Sequence, residues 1–306
     1  METYINKLIE VLPDKILNQK QPVHIDLILD GGAFNGSYLI GALMFLKEME
    51  DRKYIKVDTI SACSVSTLCG LLYFTDKLEY GVDMYHQSLC HVKTNHNLNI
   101  IDIYFERMRP LLTQELLQGL SKKLYCSYYN VKTRRKIIKS TYTNADDLHE
   151  TMKRSSFLPY IINGKMIYKN KYIHGITPYK LPIRNNKQRL YIDLFGWGKI
   201  TDSISVKNEK NNFHRILKGA LDTQLFFMKG SSTSMCRYLS KWSDYNVYDT
   251  LFIKCVIEWF VIYYIYLVSS FEKMIINKNK YPGIYLLYKK FINFGKLQFI
   301  NYICLS

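Results

Sequence analysis

Thr59-Ile60-Ser61-Ala62-Cys63-Ser64-Val65-Ser66 is the stretch on which the reading of this chain turns. A β-branched run, Ile55 to Ile60, leads into it, and an apolar helix-like segment, Thr67 to Phe74, leaves it. A serine among small residues at a strand-to-helix junction is the arrangement of a nucleophile elbow. There the turn is so tight that the positions two before and two after the serine must be small, and the hydroxyl is pushed into a cleft. The usual spelling is G-x-S-x-G. Here Ala62 and Ser66 replace the glycines, and Cys63 and Val65 flank Ser64, so the size rule holds and the spelling does not. Small-residue serine clusters are also common helix N-caps, so this stretch alone leaves both readings open.

A second element lies upstream. Asp30-Gly31-Gly32-Ala33-Phe34-Asn35-Gly36 ends the strand-like run His24 to Leu29 and opens a segment, Ser37 to Glu50, with apolar residues at helical spacing (Leu39, Ala42, Leu43, Leu46). A glycine-rich strand-to-helix turn points backbone N–H groups at the positive end of a helix dipole and favours bound negative charge. It is not a P-loop, because no Gly-Lys-Ser/Thr follows, and Ala33 breaks G-x-G-x-x-G. Followed about thirty residues later by a serine elbow, such a loop suits an oxyanion hole for serine attack on an ester.

Together these elements resemble the patatin-like phospholipase family, which reads D-G-G-G-x-[RK]-G, then G-x-S-x-G, then D-G-[GA]. Met152 to Pro159 is similar to that family's helix ending in a Ser-Ser/Ala…Pro turn, and Tyr172-Ile173-His174-Gly175 falls where the family carries its catalytic D-G-G. The resemblance covers residues 22–195 and is closest to divergent members carried by large DNA viruses. It implies an α/β fold, a central sheet flanked by helices; beyond it, residues 196–306 read as a helical C-terminal extension with a membrane-interfacial character. It also implies lipid acyl hydrolysis without metal or cofactor. Ser64 would be the nucleophile, and amides around Gly31, Gly32 and Ala33 would hold the oxyanion.

Three positions depart from the family pattern. Ala33 stands for a glycine, which is strained if that position needs φ > 0. Asn35 stands for the basic residue, removing a positive charge near the oxyanion. His174 stands for the aspartate that takes the serine's proton. As a replacement base its ordinary pKa near 6.5 suits proton abstraction at neutral pH, with Asp193 the nearest acid in sequence to orient it. Alternatively, His174 fills the site of a decayed dyad, and the protein is a pseudoenzyme that binds lipid or membrane.

The 306 residues, 48% of them hydrophobic, can bury a substantial core. Seven cysteines without a C-x-x-C pair, in a chain whose N-terminus lacks a signal-peptide pattern, read as reduced thiols in a cytosolic setting. No His or Cys spacing supports a metal. The net charge of +16 attracts anionic partners, although an AT-rich coding sequence would also inflate lysine. With no nucleic-acid motif in view, an anionic lipid surface ranks above nucleic acid as the partner. The basic residues concentrate at Lys132 to Lys139 and Lys273 to Lys280.

Taken in order, Met1 to Gln21 has an amphipathic helical pattern broken at Pro13, and the region 78–124 reads as three helices. Tyr125 to Thr143 is a hairpin turning at Lys132-Thr133-Arg134. Asn144 caps a helix whose first-turn acids, Asp146 and Asp147, have a structural reason to be there. Tyr172-Ile173 and Leu190 to Phe195 look like the last strands, and Asn211 to Tyr238 reads as helical with a break at Gly230. Residues 251–271 are the most hydrophobic run, yet Lys254 and Glu258 fall inside it on one helical face. They favour a buried or interfacial helix over a single membrane anchor. Tyr281 to Ile303 reads as a last helix packed on it.

Overall fold

The alternation of apolar runs and glycine turns folds as expected into an α/β sheet. The computed structural model describes residues 1–183, 187–196, 199–206, 209–239, 245–275 and 282–304. Residues 276–280 of the basic stretch at Lys273 to Lys280 therefore lie outside the described residues. The amphipathic N-terminus forms α1 (Glu2–Glu10), burying Ile5, Leu8 and Ile9, and α2 (Asp14–Leu17) follows Pro13. Then come β1 (Val23–Leu29), α3 (Gly36–Asp51), β2 (Ile55–Cys63), α4 (Val65–Phe74), α5 (Tyr80–Asn95), α6 (Ile101–Met108) and α7 (Gln114–Leu120). The hairpin is β3 (Leu124–Asn130) and β4 (Arg135–Lys139), and the capped helix is α8 (Ala145–Ser156). The chain continues through β5 (Tyr172–His174), β6 (Gln188–Ile192), α9 (Ile200–Ile204), α10 (Phe213–Lys229), β7 (Cys236–Tyr238), α11 (Tyr245–Ile275) and α12 (Pro282–Cys304).

The seven strands make one mixed sheet in the order β4-β3-β2-β1-β6-β7, with β5 also paired to β3. β1, β2, β3 and β6 run parallel, whereas β4, β5 and β7 are antiparallel to their neighbours. Helices cover the sheet, so β1 is buried from Ile25 to Leu29, as its nearly continuous apolar run requires. From β1 the chain moves to β2 and β3 on one side and later returns to the other side as β6. Loops leaving the carboxyl ends of the strands diverge at such a reversal and leave a crevice there.

Two local readings hold in detail. The Asn144 side chain accepts the Asp147 N–H at 2.8 Å, and Asp147 pairs with Lys139 and accepts the Thr143 N–H, which gives that acid a structural task. Two others are corrected. The segment Asn211 to Tyr238 is not helical throughout: past Gly230, in the left-handed conformation that ends α10, the chain turns back to form β7 on the sheet edge. The sheet unit therefore does not close at residue 195. α10 also belongs to it, crossing α3 at a glycine contact so tight that a Cβ on Gly219 would lie 1.9 Å from the Tyr38 carbonyl oxygen.

The segment Phe252–Met274 of α11 is long and apolar enough to cross a membrane by length and composition. Two of its charges, Lys254 and Glu258, are used for docking. Lys254 Nζ lies 2.7 Å from Asp30 Oδ2 and 2.9 Å from Asp193 Oδ1, both carboxylates being almost wholly buried. One turn on, Glu258 accepts from Thr177 N (2.8 Å) and Oγ1 (2.7 Å) and pairs with Lys136 at 3.2 Å. Removing one partner of a buried pair strands the other charge. Lys254→Met should therefore cost about 3–5 kcal/mol, measured as a lowered urea midpoint. A loss under 1 kcal/mol would mean that the ammonium contributes little to docking.

Candidate active site

Ser64 sits between β2 and α4 at φ 56°, ψ −134°. For a residue with a Cβ this half of the map is strained, at a cost of about 1–3 kcal/mol, and it persists only where the surroundings impose it. Here they do. The Ser64 N–H donates to Ser155 Oγ at 2.9 Å, and that hydroxyl lies 2.8 Å from the Ser127 carbonyl oxygen, tying the turn to the end of α8. Ser66 Oγ lies 2.6 Å from Cys63 O and 3.2 Å from Leu29 O, so a hydroxyl at the second small position pins the turn to β1. Ala62 is fully buried, and Val65 packs against Gly36. A Cβ on Gly31 would lie 3.2 Å from Ser64 Cβ, and one on Gly175 would lie 2.2 Å from Ser127 O and 3.1 Å from Cys63 Cβ. The three sequence elements thus converge on one turn.

In the glycine loop, Gly31 is corrected as an oxyanion donor, because its N–H is taken by Asp30 Oδ1 at 3.1 Å. Among the described residues no acceptor takes the N–H of Gly32, of Ala33 or of Val65 at the start of α4. Ala33 has φ 44°, the strained alternative raised by its replacing a glycine. Asn35 is fully buried and donates to Leu194 O (2.8 Å) and Lys199 O (2.9 Å), while its Oδ1 accepts from the buried Arg215 guanidinium at 3.2 Å. Arg215 reaches this loop from α10 with its charge paired to Glu209 at 2.6 Å, a contact that residue spacing could not reveal and one that does not replace the missing basic residue. Burial pushes the Asp30 carboxyl up to about 6, with Asp193 adding to the rise and Lys254 opposing it.

His174 lies on β5 opposite Tyr128 and, with Ser64, Gly31, Gly32, Ala33 and Gly175, lines a cavity of about 200 Å³. The remaining wall is mostly apolar: Phe34, Leu98, Leu158, Ile161, Ile176, Phe195 and Phe299. Burial holds the imidazole down at about 4, against smaller opposing effects of a backbone hydrogen bond at Gly175 and the Glu258 charge. No hydrogen bond joins Ser64 to His174 among the described residues. Asp193 does not orient the histidine. It binds Lys254, Arg237 (3.3 Å) and the Phe195 N–H (2.8 Å) instead. The acid whose charge reaches His174 is Glu258, from the helix that sequence reading placed outside the domain. Ser156 Oγ, on an adjoining pocket shared with Ser64, is buried and has no hydrogen-bond partner among the described residues. Cys63 is buried with its thiol pushed well up, so it is no rival nucleophile.

No protein-family model matches the chain, and no curated protein matches it. The geometry therefore carries the functional reading alone. It provides a strained serine, unclaimed amides and a neutral imidazole around an apolar cavity, which are the parts needed for acyl transfer.

The low pKa of His174 has a stability consequence. Above pH 6.5 the imidazole is neutral in both folded and unfolded chains, and its contribution is complete. As pH falls from 6.5 towards 4, the unfolded chain takes a proton that the folded chain resists, and the loss reaches up to roughly 3 kcal/mol by the time the folded imidazole is protonated. His174→Gln should flatten this part of the profile in urea midpoints measured from pH 7 to 4. Equal slopes in both proteins would mean that the ring titrates normally.

Proposed function

We propose that this chain is a patatin-like lipid acyl hydrolase in which Ser64 is the nucleophile. The observation that carries this reading is the strained Ser64 on the wall of an apolar cavity. Ser64 Oγ adds to the ester carbonyl carbon as its proton passes to His174. The carbonyl oxygen becomes an oxyanion held by the N–H groups of Gly32, Ala33 and Val65. The bond to the alcohol then breaks, His174 returns the proton to it, and water removes the acyl group from Ser64 in the reverse sense. The apolar wall suits the acyl chain of a phospholipid or another acyl-ester lipid.

A second reading has its own support. The missing Ser64–His174 hydrogen bond and an imidazole near 4 also fit a pseudoenzyme that keeps the cavity to bind lipid. Hydrolysis of a short-chain ester and of phosphatidylcholine by the wild type, Ser64→Ala and His174→Asp separates the two. The hydrolase reading expects wild-type turnover, a loss of about a thousandfold or more in Ser64→Ala, and an acid limb near pH 4 rather than 6.5. Silence in the wild type with activity in His174→Asp would identify a decayed dyad, and silence in all three would overturn the hydrolase reading.

A further inference from the structure

Lys254, Glu258, Ile262 and Ile265 form the stripe of α11 turned to the sheet unit; Ile262 and Ile265 pack with Val131, Met166 and Ile173. The rest of the helix is open. Phe252 is 66% exposed, Trp259 62%, Phe260 60% and Tyr264 65%, and on α12 Leu287 is 69% and Phe291 73% exposed. Folded chains rarely leave so large an apolar surface to water without a use for it. We infer that the outward faces of α11 and α12 are the surface by which this protein lies on an anionic lipid bilayer, in its interface rather than across it.

Charge selects the occupant. Lys273, Lys289 and Lys290 are exposed on these helices. Among their described side chains the only acids are Glu258, buried against Thr177 and Lys136, and Glu272, which accepts from Tyr160 and lies against Tyr288. At the edge of the aromatic face, Tyr129, Arg134, Lys136, Glu258, Trp259 and Tyr263 line a cavity of about 560 Å³. Lys136 and Glu258 neutralise each other there, so Arg134, exposed and 5.5 Å above the Tyr266 ring, leaves the cavity positive. A lipid phosphate fits that charge, and aromatic side chains belong at headgroup depth. A second copy of this face would bring lysines against lysines, which opposes self-association. Spanning would require hydrocarbon around a helix whose inner stripe is sealed by buried ion pairs, whereas an interfacial helix keeps one face on protein and gives the other to lipid.

This inference stands apart from hydrolysis, and its test needs no turnover. Sedimentation of the full chain with phosphatidylcholine vesicles, with and without phosphatidylserine, should show binding strengthened by the anionic lipid and weakened by salt. The variant Phe260→Ser/Phe291→Ser should bind about a hundredfold more weakly, roughly tenfold per exposed ring lost. Arg134→Gln should weaken only anionic binding, by about fivefold. Trp259 fluorescence, taken as the wild type minus Trp259→Phe, should be quenched by lipids brominated near the headgroup. Stronger quenching by bromine at the bilayer centre would overturn the interfacial placement. Failure of the wild type to bind vesicles, or a dimer split by the two serines without vesicle binding, would overturn the lipid surface itself.

Discussion

The turn at Ser64 is the constraint on which the arrangement depends. Its positive φ is maintained because three chain segments approach it too closely for it to relax. Gly31 presses on its Cβ side, Gly175 fits between Ser127 O and Cys63, and the Ser155 hydroxyl occupies its amide. A side chain at either glycine would displace the turn or the segment facing it. The parallel pairing of β1 with β2 makes this possible, since it brings the glycine loop and the elbow to one edge of the sheet. The strain of the turn is offset by the packing of the sheet, and its product is an open hydroxyl beside unclaimed amides.

The second dependence is on buried charge. Asp30 caps the Gly31 amide and is held by Lys254; Thr177, two residues beyond Gly175, is held by Glu258. Lys254 and Glu258 lie one helical turn apart, so a single face of α11 braces both the glycine loop and the strand end that carries His174. Desolvating these groups is costly, and only their mutual pairing offsets it. α11 is thus part of the site's framework rather than an appendage to it.

Local patterns were legible where local physics decides. The apolar run of β1, the small residues around Ser64, the Asn144 cap and the hairpin at Lys132 to Arg134 all fold as their residues suggest. Tertiary pairings were not legible in this way. β7 is three residues long, too short to show alternation, and exists because β6 offers it an edge. Asp193 was matched to His174 by closeness in sequence, but its neighbours come from α11 and β7. Lys254 and Glu258 read as interruptions in a hydrophobic run, yet they are buried docking contacts beside Ile262 and Ile265. The claim of Asp30 on the Gly31 amide depends on a side-chain direction that no spacing encodes.

His174 shows how one environment acts oppositely on two chemistries. Desolvation disfavours the charged form, so burial makes a carboxylate a stronger base and an imidazole a weaker one. A carboxylate at position 174 would be driven towards the basicity that serine activation needs, whereas the imidazole is driven down to about 4. The Glu258 charge works against that fall but does not reverse it. Under the hydrolase reading, His174 is therefore always neutral and ready at pH 7, yet takes a proton reluctantly. More of the barrier must then be lowered by the amides of Gly32, Ala33 and Val65 than in a site with a stronger base. Under the same reading, the strain kept at Ser64 and Ala33 would serve that end, because it would fix the donors before charge develops and leave little to reorganise during attack.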